Sequence, residues 1–195
     1  NYSGPLRSHV RYYGMFGSER YDDEDYETTW HSVGTSIWPT GWLELELGTG
    51  FGQGIDYSNG RKADVLSLSP SCSVQAGRRL NIVYGHDYER LDVAGGTLYT
   101  ANVDGLWATY QFTKRTFLRV VLQHASVELD PNLYADDDPS SQERELASQV
   151  LFSYKINPQT VLYLGYSDNH FGDFDIDLTQ SDRTFFAKIG YAFVL

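Results

Sequence analysis

The sequence holds a single cysteine, Cys72, in 195 residues. One thiol excludes an intrachain disulfide and any thiolate-rich metal centre. Basic residues are also few: 15 Lys and Arg stand against 26 Asp and Glu, for a net charge of −11. A nucleic-acid binder needs a basic face, and no stretch supplies one. No run approaches eighteen consecutive apolar residues, which excludes a membrane-spanning helix. Spanning by strands is not excluded, because alternating apolar and polar residues average out as polar. The chain opens at Asn1 without an initiator methionine or a basic–apolar–small leader. An exported protein with this start is expected to have lost its signal or to continue upstream.

Aromatic residues are abundant, and they sit in an alternating pattern. The last stretch, Ser181 to Leu195, places Phe185, Ala187, Ile189, Tyr191, Phe193 and Leu195 on one face, with Thr184, Phe186, Lys188, Gly190 and Ala192 on the other. A period of two reads as a strand. The same pattern is clearest around Leu43, Leu45, Leu47, Thr49 and Phe51, which alternate with Glu44, Glu46, Gly48, Gly50 and Gly52. Ten such strands are expected, at about 6–16, 28–38, 43–52, 64–74, 80–91, 98–112, 116–128, 147–156, 160–169 and 181–195. Pro70 weakens the fourth, since proline removes a ladder donor.

Short turns around Pro39–Gly41, Gln75–Arg78, Thr113–Arg115 and Asn157–Gln159 alternate with connections that are mostly long and acidic or polar. The exception is the tight Gly95–Gly96 tip. Aromatic residues crowd beside the short turns: Trp38, Trp42, Tyr110, Phe112, Phe117, Tyr154, Tyr191 and Phe193. Short turns on one side, longer loops on the other and an aromatic girdle are the marks of an outer-membrane barrel. The expected fold is therefore all-β, an antiparallel up-and-down transmembrane β-barrel of about ten strands. A soluble β-sandwich binding domain is the alternative that the alternation also permits.

In that barrel Glu44, Glu46, Arg119, Lys155 and Lys188 point inward. Opposite charges in a narrow interior are expected to pair and plug it, because unpaired charges away from water are costly. If the ten strands belong to a larger barrel, the same residues line a channel. A catalytic site needs a nucleophile, a base and an orienting group converging in space. Asp168 and His170, at the loop end of the ninth strand, are the candidates for a surface-facing hydrolase. His9, His31, His86 and His124 lie on or near strands, and Asp87, beside His86, points to the opposite face. Asp173, Asp175 and Asp177 are calcium candidates, and acidic clusters also occur at 22–25 and 136–138. None fits a full EF-hand loop. No cofactor is expected beyond divalent cations bridging acidic loops to lipopolysaccharide phosphates. The expected partners are outer-membrane lipid, lipopolysaccharide and the barrel-insertion machinery, with no nucleic acid.

Three stretches carry a resemblance: YERLDVAGGTLYTANVDGLWATYQFTKRTFLRVVLQ (Tyr88 to Gln123), LFSYKINPQTVLYLGYSDNHFG (Leu151 to Gly172) and DLTQSDRTFFAKIGYAFVL (Asp177 to Leu195). They resemble the C-terminal region of a family of large outer-membrane proteins. That family joins an N-terminal carbohydrate-binding-like β-sandwich to a C-terminal barrel of unknown function, and some members carry a hydrolase label. The resemblance covers most of residues 40–195 and implies that this chain is the barrel end of a longer precursor. It implies an anchoring, structural or transport-like role and supplies no catalytic residue.

Overall fold

A computed structural model describes residues 2–134, 142–173 and 177–192. A short strand β1 (Tyr2–Gly4) and one 3-10 turn (Pro5–Arg7) lead into ten long strands. These are β2 (Ser8–Tyr21), β3 (Glu24–Thr40), β4 (Leu43–Asp56), β5 (Arg61–Ala76), β6 (Leu80–Val93), β7 (Gly96–Thr113), β8 (Thr116–Leu129), β9 (Gln142–Asn157), β10 (Thr160–Asp173) and β11 (Thr179–Tyr191). They form one sheet in sequence order, each strand antiparallel to the next. The fold is the up-and-down all-β meander that the alternation predicts.

The strands run longer than the alternation suggests. They hold 13 to 18 residues, whereas about 9–11 cross the hydrocarbon of a membrane. The added residues lie mainly at the loop end, where the ladder continues past the last apolar side chain. The first connection changes most. A loop over 22–25 is expected, yet only Asp22 and Asp23 turn, with φ of 50° and 62°. Two successive left-handed residues match the twist of a tight hairpin, and Asp tolerates that conformation better than most side chains. Glu24 and Asp25 instead pair with Tyr21 and Arg20 in the ladder.

Pro70 sits inside β5. It pairs with Leu47 on the β4 side. On the β6 side, ladder pairing stops after Leu68 and Tyr88 and resumes at Ser71 and Gly85. The missing N–H interrupts one ladder without shifting its register.

Register defines two faces. Ile37, Leu45, Cys72, Tyr84, Leu106, Leu122, Ser148, Asp168 and Arg183 form one row across nine strands. Three rows nearer the short turns read Ile82, Ala108, Val120, Val150, Tyr166, Phe185; then Leu80, Tyr110, Leu118, Phe152, Leu164, Ala187; then Thr116, Tyr154, Leu162, Ile189. The three rows nearer the short turns are almost wholly apolar, and the first row turns polar from Ser148 to Arg183. The opposite face carries Ser32, Gly34 and Ser36, Glu44 to Gly50 in alternation, and Ser67 to Ser73 in alternation. Cavities of about 550 and 290 Å³ open on that polar side, between β2 and β5. The polar face is the concave one.

Few side chains are fully buried, as a single curved sheet requires. The buried cluster sits at the loop end, where Ala63, Leu91 and Leu98 pack with Val65, Val93, Tyr99, Leu133 and Tyr134. Beneath it Asp56, only 3% exposed, binds Arg61 Nε at 2.9 Å and Asn59 Nδ2 at 2.7 Å. Arg61 also donates to the Leu133 carbonyl, which ties the β4–β5 connection to the β8–β9 connection. Removing Asp56 leaves the half-buried Arg61 without its carboxylate. Asp56→Ala is expected to cost about 1–3 kcal/mol in denaturant unfolding.

Both sheet edges are open. Among the described residues β11 pairs only with β10, and β2 above Val10 pairs only with β3. Phe16 on β2 and Phe185 on β11 are each 74% exposed.

Candidate functional site

The apolar face ends abruptly toward the loops, where a band of ionisable groups begins. His86, Asp104, His124, Leu146 and His170 form one row of β6 to β10. Asp104 gathers its neighbours. Tyr84 donates to Asp104 Oδ1 at 2.6 Å, and His86 Nδ1 lies 2.9 Å from the same oxygen. His124 Nδ1 lies 3.8 Å from Oδ2. The next row toward the loops reads Tyr88, Asn102, Ser126, Arg144 and Gly172. Ser126 therefore follows His124 on the same face, opposite Arg144. Among the described residues Arg144 Nε is buried without a hydrogen-bond partner, while its Nη2 reaches the Asp173 carbonyl at 3.5 Å.

Asp168 and His170 stand on the same face, two strands away. Asp168 is 8% exposed. It accepts from Tyr166 at 2.5 Å, from Gln180 at 2.5 Å and from Arg183 at 3.2 Å. His170 Nδ1 lies 3.9 Å from Asp168 Oδ1. This carboxylate is occupied by three donors from β10 and β11. Chemically it is a clasp between the last two strands, with Tyr166 and Arg183 on Oδ2 and Gln180 on Oδ1.

On the concave face the alternation places Glu44, Glu46, Arg119, Lys155 and Lys188 together with the serines and glycines. Ser71 donates to Glu46 at 3.3 Å, and the Arg119 guanidinium lies 5.9 Å from the Phe117 ring centre. Among the described residues no ion pair joins Glu44 or Glu46 to Arg119, Lys155 or Lys188. The acids sit on β4 and the bases on β8, β9 and β11, so the sheet keeps them strands apart. Large aromatics on this face lie over glycines: Trp30 over Gly50, and Phe186 over Gly165. A Cβ at either glycine would collide with the ring, so the missing side chain makes room for the neighbour's.

The aromatic residues near the short turns divide between the faces. Tyr110, Tyr154 and Tyr191 share the apolar face, Phe112 packs edge-on against Tyr110, and Trp42 is exposed in its turn. Phe117 stands on the concave face, opposite Gln111 and Ser153. Trp38 packs against His9 and Arg7 near the same face. Parity decides this: nearness to a turn does not tell which way a strand residue points. Phe193 lies outside the described residues, as do Asp175 and the acidic run 136–138. Asp177 accepts a hydrogen bond at its backbone carbonyl from Thr179. Among the described residues no group of three or more His, Cys, Asp or Glu could hold a metal ion.

The sequence singled out His86, His124, Asp168 and His170 but not Asp104, Tyr84, Ser126 or Arg144. Those four join the band only through cross-strand register.

The class this defines is an antiparallel meander with a polar concave face, an apolar convex face and a polar band where the apolar belt stops. No family model matches the chain, and no curated protein matches it. Among solved structures it is similar to one described as the NanC porin, with 14% sequence identity and a TM-score of 0.44 over 95% of this chain and 94% of that one.

Proposed function

We propose that the chain is a ten-stranded barrel of the bacterial outer membrane with a structural, anchoring or transport-like role. One observation carries this reading: rows of uncovered apolar side chains run across the convex face from strand to strand. In water such an expanse is an aggregation surface; in lipid it is the required solvent. The four connections at one end, 41–42, 77–79, 114–115 and 158–159, are short, as periplasmic turns are. The acidic connections then face lipopolysaccharide, where divalent cations would bridge carboxylates to phosphates. An upstream β-sandwich, which the resemblance implies, would join at the short-turn end, where β1 lies.

The two open edges close on each other. Because β1 occupies β2 at Ser8, His9 and Val10, β11 meets β2 above that point. Outward residues must also face outward residues. The first register meeting both conditions sets Tyr191 beside Tyr12, Ile189 beside Gly14 and Ala187 beside Phe16. A row leaving β2 at Ser8 then returns at Arg20. With strands about 4.8 Å apart and a rise of about 3.3 Å per residue, that stagger tilts ten strands by roughly 40°. Outer-membrane barrels tilt by this amount.

The test is refolding of the chain into lipid vesicles. A β-type circular dichroism spectrum with heat-modifiable gel mobility is the expected result. A chain that folds in buffer alone, and not in lipid, would overturn the reading.

A further inference from the structure

We propose that the convex face of β7, β8 and β9 carries a serine acyl hydrolase site for fatty-acyl esters of membrane lipids, with Ser126 as nucleophile, His124 as base, Asp104 as positioning residue and Arg144 as oxyanion donor. The inference rests on the barrel reading above, because it needs this face to meet lipid.

The parts come together by register. Asp104 Oδ1 is held by Tyr84 and His86, which leaves Oδ2 facing His124 Nδ1 at 3.8 Å. A carboxylate on Nδ1 turns the other ring nitrogen outward as an acceptor, the arrangement a general base needs. Such contacts are commonly long before substrate binds. Ser126 lies two residues along β8 on the same face, and its hydroxyl has no protein partner among the described residues. Directly opposite stands Arg144, whose buried Nε–H has no acceptor among the described residues. A buried donor without a partner is costly unless something fills it, and an ester oxygen turning into an oxyanion is a suitable acceptor.

Location fixes the substrate class. Leu106 and Leu122 lie immediately below the site with Val150 one row further down, Asn102 flanks Ser126, and Thr100 and Glu128 lie above. Lipid ester carbonyls sit at this boundary between acyl chains and headgroups, so a lipid diffusing along the barrel presents its ester at the height of Ser126. An apolar dimple of about 100 Å³ beside Leu106, Leu122, His124 and Leu146 offers room for an acyl chain at its edge.

The steps balance with water as the only co-reactant. Ser126 Oγ attacks the ester carbonyl as His124 takes its proton, and Arg144 stabilises the oxyanion. Collapse breaks the C–O bond to the alcohol, which leaves with the proton from His124. Water then attacks the acyl-serine, again with His124 as base. The fatty acid is released and Ser126 is restored.

The experiment folds the full chain in phosphatidylglycerol vesicles, and in a second arm with lipopolysaccharide, and scores folding by heat-modifiable mobility. A fluorophosphonate probe and fatty-acid release are then read on the folded fraction. Labelling of one serine is expected, with release from one lipid source or both naming the substrate. Ser126→Ala should abolish labelling, and Ser126→Ala and His124→Ala should each lower release about 1,000-fold or more. Ser148→Ala, a serine two rows from Ser126 on the same face, should match the parent. A folded chain that neither labels nor releases fatty acid, or a Ser126→Ala variant that keeps both, overturns the site and leaves the polar band as a headgroup contact. A chain that does not fold in lipid overturns the barrel reading, and the site with it.

Discussion

Val120→Arg is expected to lower the stability of the lipid-embedded chain by about 2–4 kcal/mol, while Val121→Arg costs under about 1 kcal/mol. The two residues are chain neighbours of the same type on β8. Val120 shares its row with Ala108 and Val150, in the middle of the apolar belt. Val121 shares its row with Trp107 and Gln149, on the concave face that already carries Arg119. A guanidinium facing lipid must stay poorly solvated or deform the bilayer. One facing the interior finds water and polar neighbours such as Gln149. Guanidinium unfolding of both variants in lipid measures the difference. Equal costs, or the larger cost at Val121, would show that the faces are reversed or that lipid is not the solvent.

The seam gives the second large effect. In a Cys72→Ser background, Ala187→Cys combined with Phe16→Cys is expected to oxidise to near-complete intrachain disulfide in lipid. Ala187→Cys combined with Gly14→Cys or Tyr12→Cys should cross-link far less. Facing residues of an antiparallel pair lie about 4.5–5.5 Å apart, and two residues of slip add about 7 Å along the strand. Disulfide geometry does not tolerate that gap. Cross-linking between two chains in place of one would mean that the edges close on a second copy. Preference for the Gly14 pair would mean that β1 leaves β2 when the barrel forms.

The strands themselves were legible because apolar side chains recur every second residue wherever one side meets an apolar environment. Leu43, Leu45 and Leu47 against Glu44 and Glu46 announce both the strand and its two faces. The alternation fades where both sides meet water, so the loop-end extensions, such as Glu24–Glu27 in β3 and Gln142–Leu146 in β9, were not visible. Counting from a hairpin also fails where the ladder slips. From Val93 opposite Gly96, simple counting puts Val103 across from His86. The shift between Leu91 and Asp92 puts Asp104 there instead. A second shift, between Gln111 and Thr113, brings His124 rather than Ala125 to the other side of Asp104. Both bulges are needed to gather the three side chains on one face, and neither has a marker in the local sequence.

The sequence by itself determined the number and order of the long strands and the two alternating sets of residues, one apolar and one that includes Glu46 and Arg119. These follow from a period of two, which is a local property of the chain. Tertiary structure alone decided which residues became neighbours: the Asp104 cluster, the Asp168 clasp, Arg61 reaching the Leu133 carbonyl, and Phe117 facing inward beside Arg119. Those contacts depend on register between strands, and a single bulged residue moves every partner beyond it.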